Sequence, residues 1–229
     1  MTKAIFFDTG PIITLVMARL DWILPLLKEK FGGKFYITPA VKKELVGRPM
    51  KIKRFEFEAL QVLKLIREGV LEVYSNVPTE KIRKLKVFAN GAFKINNKIM
   101  DVVQEGELEA VTAALEIGAE AVVMDERTLR LLIEESTAME KLLEMRFKRD
   151  VKVDRVKIEQ FSKQFKTLKI IRSIELVGVA YKLNLLNSYV PKLRDGKKTL
   201  VDAVLWATKY GGCAVTNHEI EEMKLSLLS

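Results

Sequence analysis

Two short runs constrain this chain more than any other feature: Ala4-Ile5-Phe6-Phe7 and Ala121-Val122-Val123-Met124, each free of polar residues and each closed by an aspartate, Asp8 and Asp125. A half-exposed strand alternates apolar and polar side chains. A run without alternation fits a strand covered on both faces, as in a parallel sheet between helical layers. The segments 35–37, 70–74 and 168–171, the last two interrupted by Glu72 and Lys169, read as further strands. Between them lie stretches with helical spacing, such as Ile12, Leu15 and Val16, and a longer amphipathic segment over 55–67. Thr38-Pro39 reads as an N-cap and first-position proline, and Gly32-Gly33 and Gly118 as helix ends. Strands alternating with helices predict right-handed crossovers and a three-layer α/β/α domain with a central, mainly parallel sheet.

The tail continues the pattern, with helices expected at 173–183 and 200–209 and a last one ending near Met223. A polar loop is expected around Asn96-Asn97, and helical material over 79–88. Residues 1–186 read as one domain carrying a basic insertion at about 137–166, with 187–229 a C-terminal helical appendage packed on it. From 141 to 169 the chain has ten Lys or Arg against four Asp or Glu.

The whole chain of 229 residues is basic, with 39 Lys+Arg against 30 Asp+Glu, a formal charge of +9. Such a surface attracts polyanions, nucleic acid first among them, although a basic balance also serves solubility alone. One cysteine, Cys213, excludes an internal disulfide framework and a Cys-rich zinc site. Charges interrupt every apolar stretch, and the N-terminus lacks a signal-peptide pattern, so a cytoplasmic protein outside the membrane is expected. Abundant Lys and Glu with scarce Gln and Asn point weakly to a thermophile.

Four acids stand where the pattern favours something apolar or where strands end. Ligands of open parallel sheets collect at the carboxyl ends of strands, which places Asp8 and Asp125 on one rim. Each also precedes a helix and could be its N-cap. Glu44 follows Ala40 and Val41 by four and three residues and shares their inward face, while Lys42 and Lys43 take the other side. Glu107 begins the stripe continued by Ala110, Val111 and Ala114. Its alternative role is a first-turn carboxylate answering the helix dipole. Glu109 aligns instead with Glu116 and Glu120, a solvated acidic face. Four carboxylates without a His or Cys cluster suit a hard dication, Mg²⁺ or Mn²⁺ rather than zinc. His218 reads as a surface or capping residue, and both it and Cys213 as remote from the acids, leaving no nucleophilic triad.

In order and spacing, Ile5-Phe6-Phe7-Asp8-Thr9-Gly10-Pro11 with Leu15, Pro39-Ala40-Val41-Lys42-Lys43-Glu44-Leu45, Gly106-Glu107-Leu108-Glu109-Ala110 and Val122-Val123-Met124-Asp125-Glu126 with Arg130 resemble the PIN-domain family. Within it they resemble the branch whose third acid opens a helix after Gly and whose fourth acid is followed by Glu. Residues 170–173 with Glu175-Leu176 resemble the fold's last strand–helix unit. The likeness spans most of 3–186, apart from the basic insertion. A haloacid-dehalogenase reading of Phe7-Asp8-Thr9 fails, because Gly10 stands where that chemistry needs a second Asp.

The resemblance implies a Rossmann-like sheet and hydrolysis of RNA phosphodiesters at Asp8, Glu44, Glu107 and Asp125 with Mg²⁺ or Mn²⁺. Thr9, Glu126 and Ser173 would be supporting polar groups. An acidic cage repels RNA unless basic flanks compensate; Arg48, Lys51, Lys53 and Arg54 are one flank expected to bind it, and the 141–169 stretch, with its surplus of six positive charges, is either a second or a solvated face. A homodimer and an antitoxin-like protein partner are the further associations the resemblance implies. Against it stand the chain's length, unlike a compact toxin, and Met124 where a polar residue often precedes the fourth acid. The competing reading is a non-catalytic PIN-like module binding RNA or a protein. A small-ligand protein is less favoured, since no Gly-rich phosphate loop is present.

Overall fold

The run Ala4–Phe7 forms β1, and its side chains divide between two cores. Phe6 packs on one side of the sheet with Val122 and Met124, and Ile5 and Phe7 on the other with Phe35, Ile37 and Val123. Both sides are buried, which is why the run shows no alternation. Phe6 and Phe7 are fully enclosed, so truncating either to Ala would cost about 3–5 kcal/mol.

The computed structural model describes residues 3–103, 105–134 and 136–229. After β1 come α1 (Thr9–Met17), α2 (Ile23–Phe31), β2 (Lys34–Ile37), α3 (Pro39–Lys42), α4 (Glu56–Arg67), β3 (Glu72–Val73) and α5 (Thr79–Gly91). A π turn (Lys43–Gly47) and two short 3₁₀ turns join α3 to α4. Then follow β4 (Phe93–Ile95), β5 (Lys98–Ile99), α6 (Glu105–Ile117), β6 (Ala121–Val123), α7 (Arg127–Glu134), α8 (Ser136–Phe147), β7 (Lys152–Val153) and α9 (Arg155–Lys163). The chain closes with β8 (Ile170–Ile171), α10 (Ser173–Lys182), α11 (Gly196–Gly211) and α12 (Asn217–Leu228).

The central sheet has five parallel strands in the order β3-β2-β1-β6-β8, with helices on both faces, a three-layer α/β/α architecture. The chain winds outward from β1 through β2 to β3, then crosses to the other side for β6 and β8. The switch point therefore lies between β1 and β6, at the carboxyl ends that carry Asp8 and Asp125. Thr38 caps α3 by accepting the Val41 N–H, with Pro39 at the first position.

Three regions depart from expectation. The polar loop expected at Asn96-Asn97 is the two-residue turn of a hairpin between β4 and β5, strands that were not expected; both residues adopt positive φ (51° and 63°), as a two-residue turn matching strand twist requires. β7 joins the other side of β4, giving a three-stranded antiparallel sheet ordered β5-β4-β7. The charged stretch beyond Lys141 is a structured lobe, because Leu143, Val151, Ile158, Phe161 and Phe165 bury themselves in the core that holds Phe6. Last, α12 continues past Met223 to Leu228, and α11 packs on α1, α10 and α12. Among the described residues no helix is long and apolar enough to cross a membrane.

Candidate functional site

Asp8 follows β1 at the N-cap position of α1, with 6% of its surface exposed. Its side chain makes no capping hydrogen bond, although the Thr9 and Gly10 N–H groups face it. Burial pushes its pKa from 3.8 up to about 6, and the charges of Glu44 and Glu126 add to the rise beyond what those N–H groups offset. Among the described residues Asp8 has no ion-pair partner.

Glu44 reaches this rim from the π turn that follows α3. Insertions of this kind re-aim a side chain out of the regular helical stripe and recur at functional sites. Its Oε2 accepts a hydrogen bond from Thr9 Oγ1 at 2.8 Å. Gly106, near the start of α6, lies against the same carboxylate: a Cβ there would stand 3.7 Å from Glu44 Oε1 and 3.7 Å from the Ala40 Cβ. Glu107 is thus in the helix turn that abuts Glu44, half-buried. Glu109, expected on a solvated face, instead accepts the Ala40 N–H at 3.1 Å and ties α6 to the start of α3. Its charge answers the unpaired N–H groups of that helix end.

Asp125 ends the β6 run and is 3% exposed. Its Oδ1 accepts the Ser173 backbone N–H at 2.8 Å, and its Oδ2 accepts Thr14 Oγ1 at 2.8 Å and Ser173 Oγ at 2.7 Å. It therefore caps α10 from a neighbouring strand. The cap of its own following helix, α7, is Glu126, which accepts the Leu129 N–H at 2.7 Å. Cys213 is not remote, as the sequence implied. Its thiol lies against Asp125 and Ser173, and burial, then the Asp125 charge, pushes it up to about 11. Gly212 allows this approach: its φ is +135°, and a Cβ there would sit 3.2 Å from Thr14 Oγ1. Gly10 does the same across the strand ends, where a Cβ would sit 3.4 Å from that of Asp125.

The rim thus brings Glu44 and Glu126 into electrostatic reach of Asp8, with Asp125 and Glu107 on flanking elements. Among the described residues no three His, Cys, Asp or Glu side chains converge as a ready metal cage. Glu44, Asp125 and Glu126 are turned toward Thr9, toward Thr14 and Ser173, and toward the Leu129 N–H. Carboxylates that repel one another spread to such donors. The donor chemistry, carboxylate and hydroxyl oxygen alone, fits Mg²⁺ or Mn²⁺. Thr14 and Cys213 are the site neighbours the sequence did not reveal. Neither belongs to a motif, and Cys213 arrives by tertiary packing alone.

A cleft of about 350 Å³ opens beside Glu44, lined by Ala40, Lys43, Arg48, Lys86, Asp101 and Gly106. Of the four expected RNA-binding cations only Arg48 lines it. Lys53 is paired with Glu56 at 2.9 Å, Arg54 lies over the Phe55 ring, and Lys51 is exposed in a 3₁₀ turn. Lys43 and Lys86 take the places left. Nearby, Arg172 joins Glu175 (2.8 Å) and Glu219 (2.6 Å), fastening α12 to the start of α10. His218 is exposed, 3.4 Å from Glu222 and away from the rim. No known protein family, curated protein or solved structure matches this chain.

Proposed function

We propose that this protein is a metal-dependent ribonuclease of the PIN-domain type. One observation carries the reading: at the switch point of a parallel sheet, a buried aspartate faces two other carboxylates, with its pKa pushed up to about 6. A buried anion among anions is destabilised until a cation joins it. Asp8, Glu44, Glu107 and Asp125 would hold Mg²⁺ or Mn²⁺. When bound, the ion would activate water and stabilise the leaving oxygen.

The chain's own groups do the rest. Thr9 orients Glu44, while Thr14 and Ser173 fix Asp125 through both its oxygens. Lys43, Arg48 and Lys86 provide the positive charge that admits a phosphate backbone beside an acidic rim. The test is cleavage of end-labelled single-stranded RNA with Mn²⁺, with EDTA, and with Asp8→Asn. Cutting by the parent with Mn²⁺ is expected, with at least about 100-fold loss in the variant and in EDTA. Cutting that survives EDTA or Asp8→Asn would refute the assignment.

Two observations favour a second reading, a non-catalytic module that binds RNA or a protein. Asp125 already accepts three hydrogen bonds, leaving about one of its four lone-pair positions. An apolar groove between α1 and α4, with Ile13, Met17, Ile52 and Phe55 exposed, offers a seat for a protein chain. RNA binding without metal-dependent cutting would select this reading.

A further inference from the structure

The small antiparallel sheet has one face in the core and one in solvent. Phe93 is buried on the inner face, with Val153 opposite it. On the outer face Lys152, Lys94 and Ile99 stand in register across β7, β4 and β5. Lys94 and Lys152 are directly opposed, and like charges so placed destabilise a strand pair. Lysines at sheet edges discourage unwanted pairing, which accounts for Lys98 and Lys152. Lys94 is different, because β4 is the central strand and has no edge to protect.

Nor is the repulsion relieved locally. Among the described residues neither Lys94 nor Lys152 has a carboxylate within ion-pair distance; Lys152 touches only the Asn97 side-chain oxygen, at 3.4 Å. Asp154, two residues from Lys152, is taken by Lys157 at 3.5 Å. Exposed Lys148 and Arg149 add charge in the turn leading into β7, against the single Asp150. Ile99, 64% exposed beside Lys94, gives the strip an apolar end.

We propose that this face, Lys152–Lys94–Ile99 with Lys148 and Arg149, is a docking strip for the phosphodiester backbone of the RNA substrate. Phosphates spaced along a strand neutralise opposed lysines in a way that single carboxylates of the chain do not, and Ile99 can meet a ribose or base face. The occupant rests on the ribonuclease reading, whereas the strip lies on the small antiparallel sheet and uses none of the rim carboxylates. It gives that sheet a purpose: holding a long substrate while the rim acts on one bond.

The experiment measures binding of a fluorescein-labelled single-stranded 16-mer RNA to the full chain in EDTA across a salt series. Parent, Lys94→Gln/Lys152→Gln, Lys94→Glu/Lys152→Glu and Asp8→Asn are compared, with thermal melting as the folding control. The expected result is at least tenfold weaker binding by both lysine variants at moderate salt, with a log–log salt slope shallower by about 1.4, since each lost phosphate contact removes about 0.7. The Gln pair should melt no lower than the parent, because it removes a repulsion. Asp8→Asn, which removes an anion from the rim, should bind no more weakly than the parent, so that only the lysine variants lose affinity. Unchanged affinity and slope in both lysine variants would overturn the strip, as would lysine-dependent binding of poly-glutamate with none of RNA. Lysine-dependent binding by a chain that never cuts would keep the strip and remove the nuclease reading.

Discussion

Asp8 and Asp125 end neighbouring strands of one sheet, each after an unbroken apolar run, yet their surroundings differ in kind. Asp125 is enclosed and held by three donors, accepting from Thr14, Ser173 Oγ and the Ser173 N–H, with Cys213 against it. Asp8 is nearly as enclosed, and burial, joined by the charges of Glu44 and Glu126, lifts its pKa to about 6 against the pull of the Thr9 and Gly10 N–H groups. The contrast separates two uses of a buried carboxylate. Where donors surround it, the charge knits elements together: β6 to α1, α10 and the C-terminal segment. Where burial and neighbouring anions act on it, the charge costs stability, which the proposed cation would offset.

The largest effect expected from this contrast is on folding. Asp125→Ala strands the Ser173 N–H and two hydroxyls, and should cost about 4 kcal/mol by urea denaturation in EDTA. A cost below about 1 kcal/mol would erase the distinction between the two aspartates. Asp8→Asn should act in the opposite sense, adding about 3 kcal/mol at pH 7.5 without metal. The sign follows from proton uptake. The folded carboxyl holds its proton to about pH 6 and the unfolded one only to about 3.8, so the parent loses stability as pH rises between these values. The advantage of Asp8→Asn should therefore vanish near pH 3.5 and be complete above about pH 7. Melting curves in EDTA at the two pH values check it. Thr14→Val is the mildest change: it removes one donor to Asp125 with little change of shape, and should cost about 1.5 kcal/mol.

The same pair shows how far the sequence could be read. Strand burial, and with it the place of Asp8 and Asp125 on one rim, follows from the missing alternation, as Phe6 and Phe7 facing opposite cores makes plain. The inward face of Glu44 was legible from its spacing to Val41, but the π turn that presents it was not, since no residue type marks such a turn. Asn96-Asn97 did carry a hairpin signal, two residues tolerant of positive φ between short segments that alternate apolar residues with lysine. Ile158, Phe161 and Phe165 likewise recur at helical spacing inside the basic stretch, a stripe obscured by the charges around it. Of the partners of Asp125, Ser173 was expected beside the acids, whereas Thr14 and Cys213 were beyond reach, because they arrive only when α1 and the segment after α11 pack.

The most direct test of a cation site at Asp8 is a ¹³C NMR titration of its side-chain carboxyl, in EDTA and then in excess Mg²⁺. The account predicts a midpoint near pH 6 without metal, moving below about 4 with it, because a dication favours the charged form. A midpoint near 6 that ignores Mg²⁺ would contradict it.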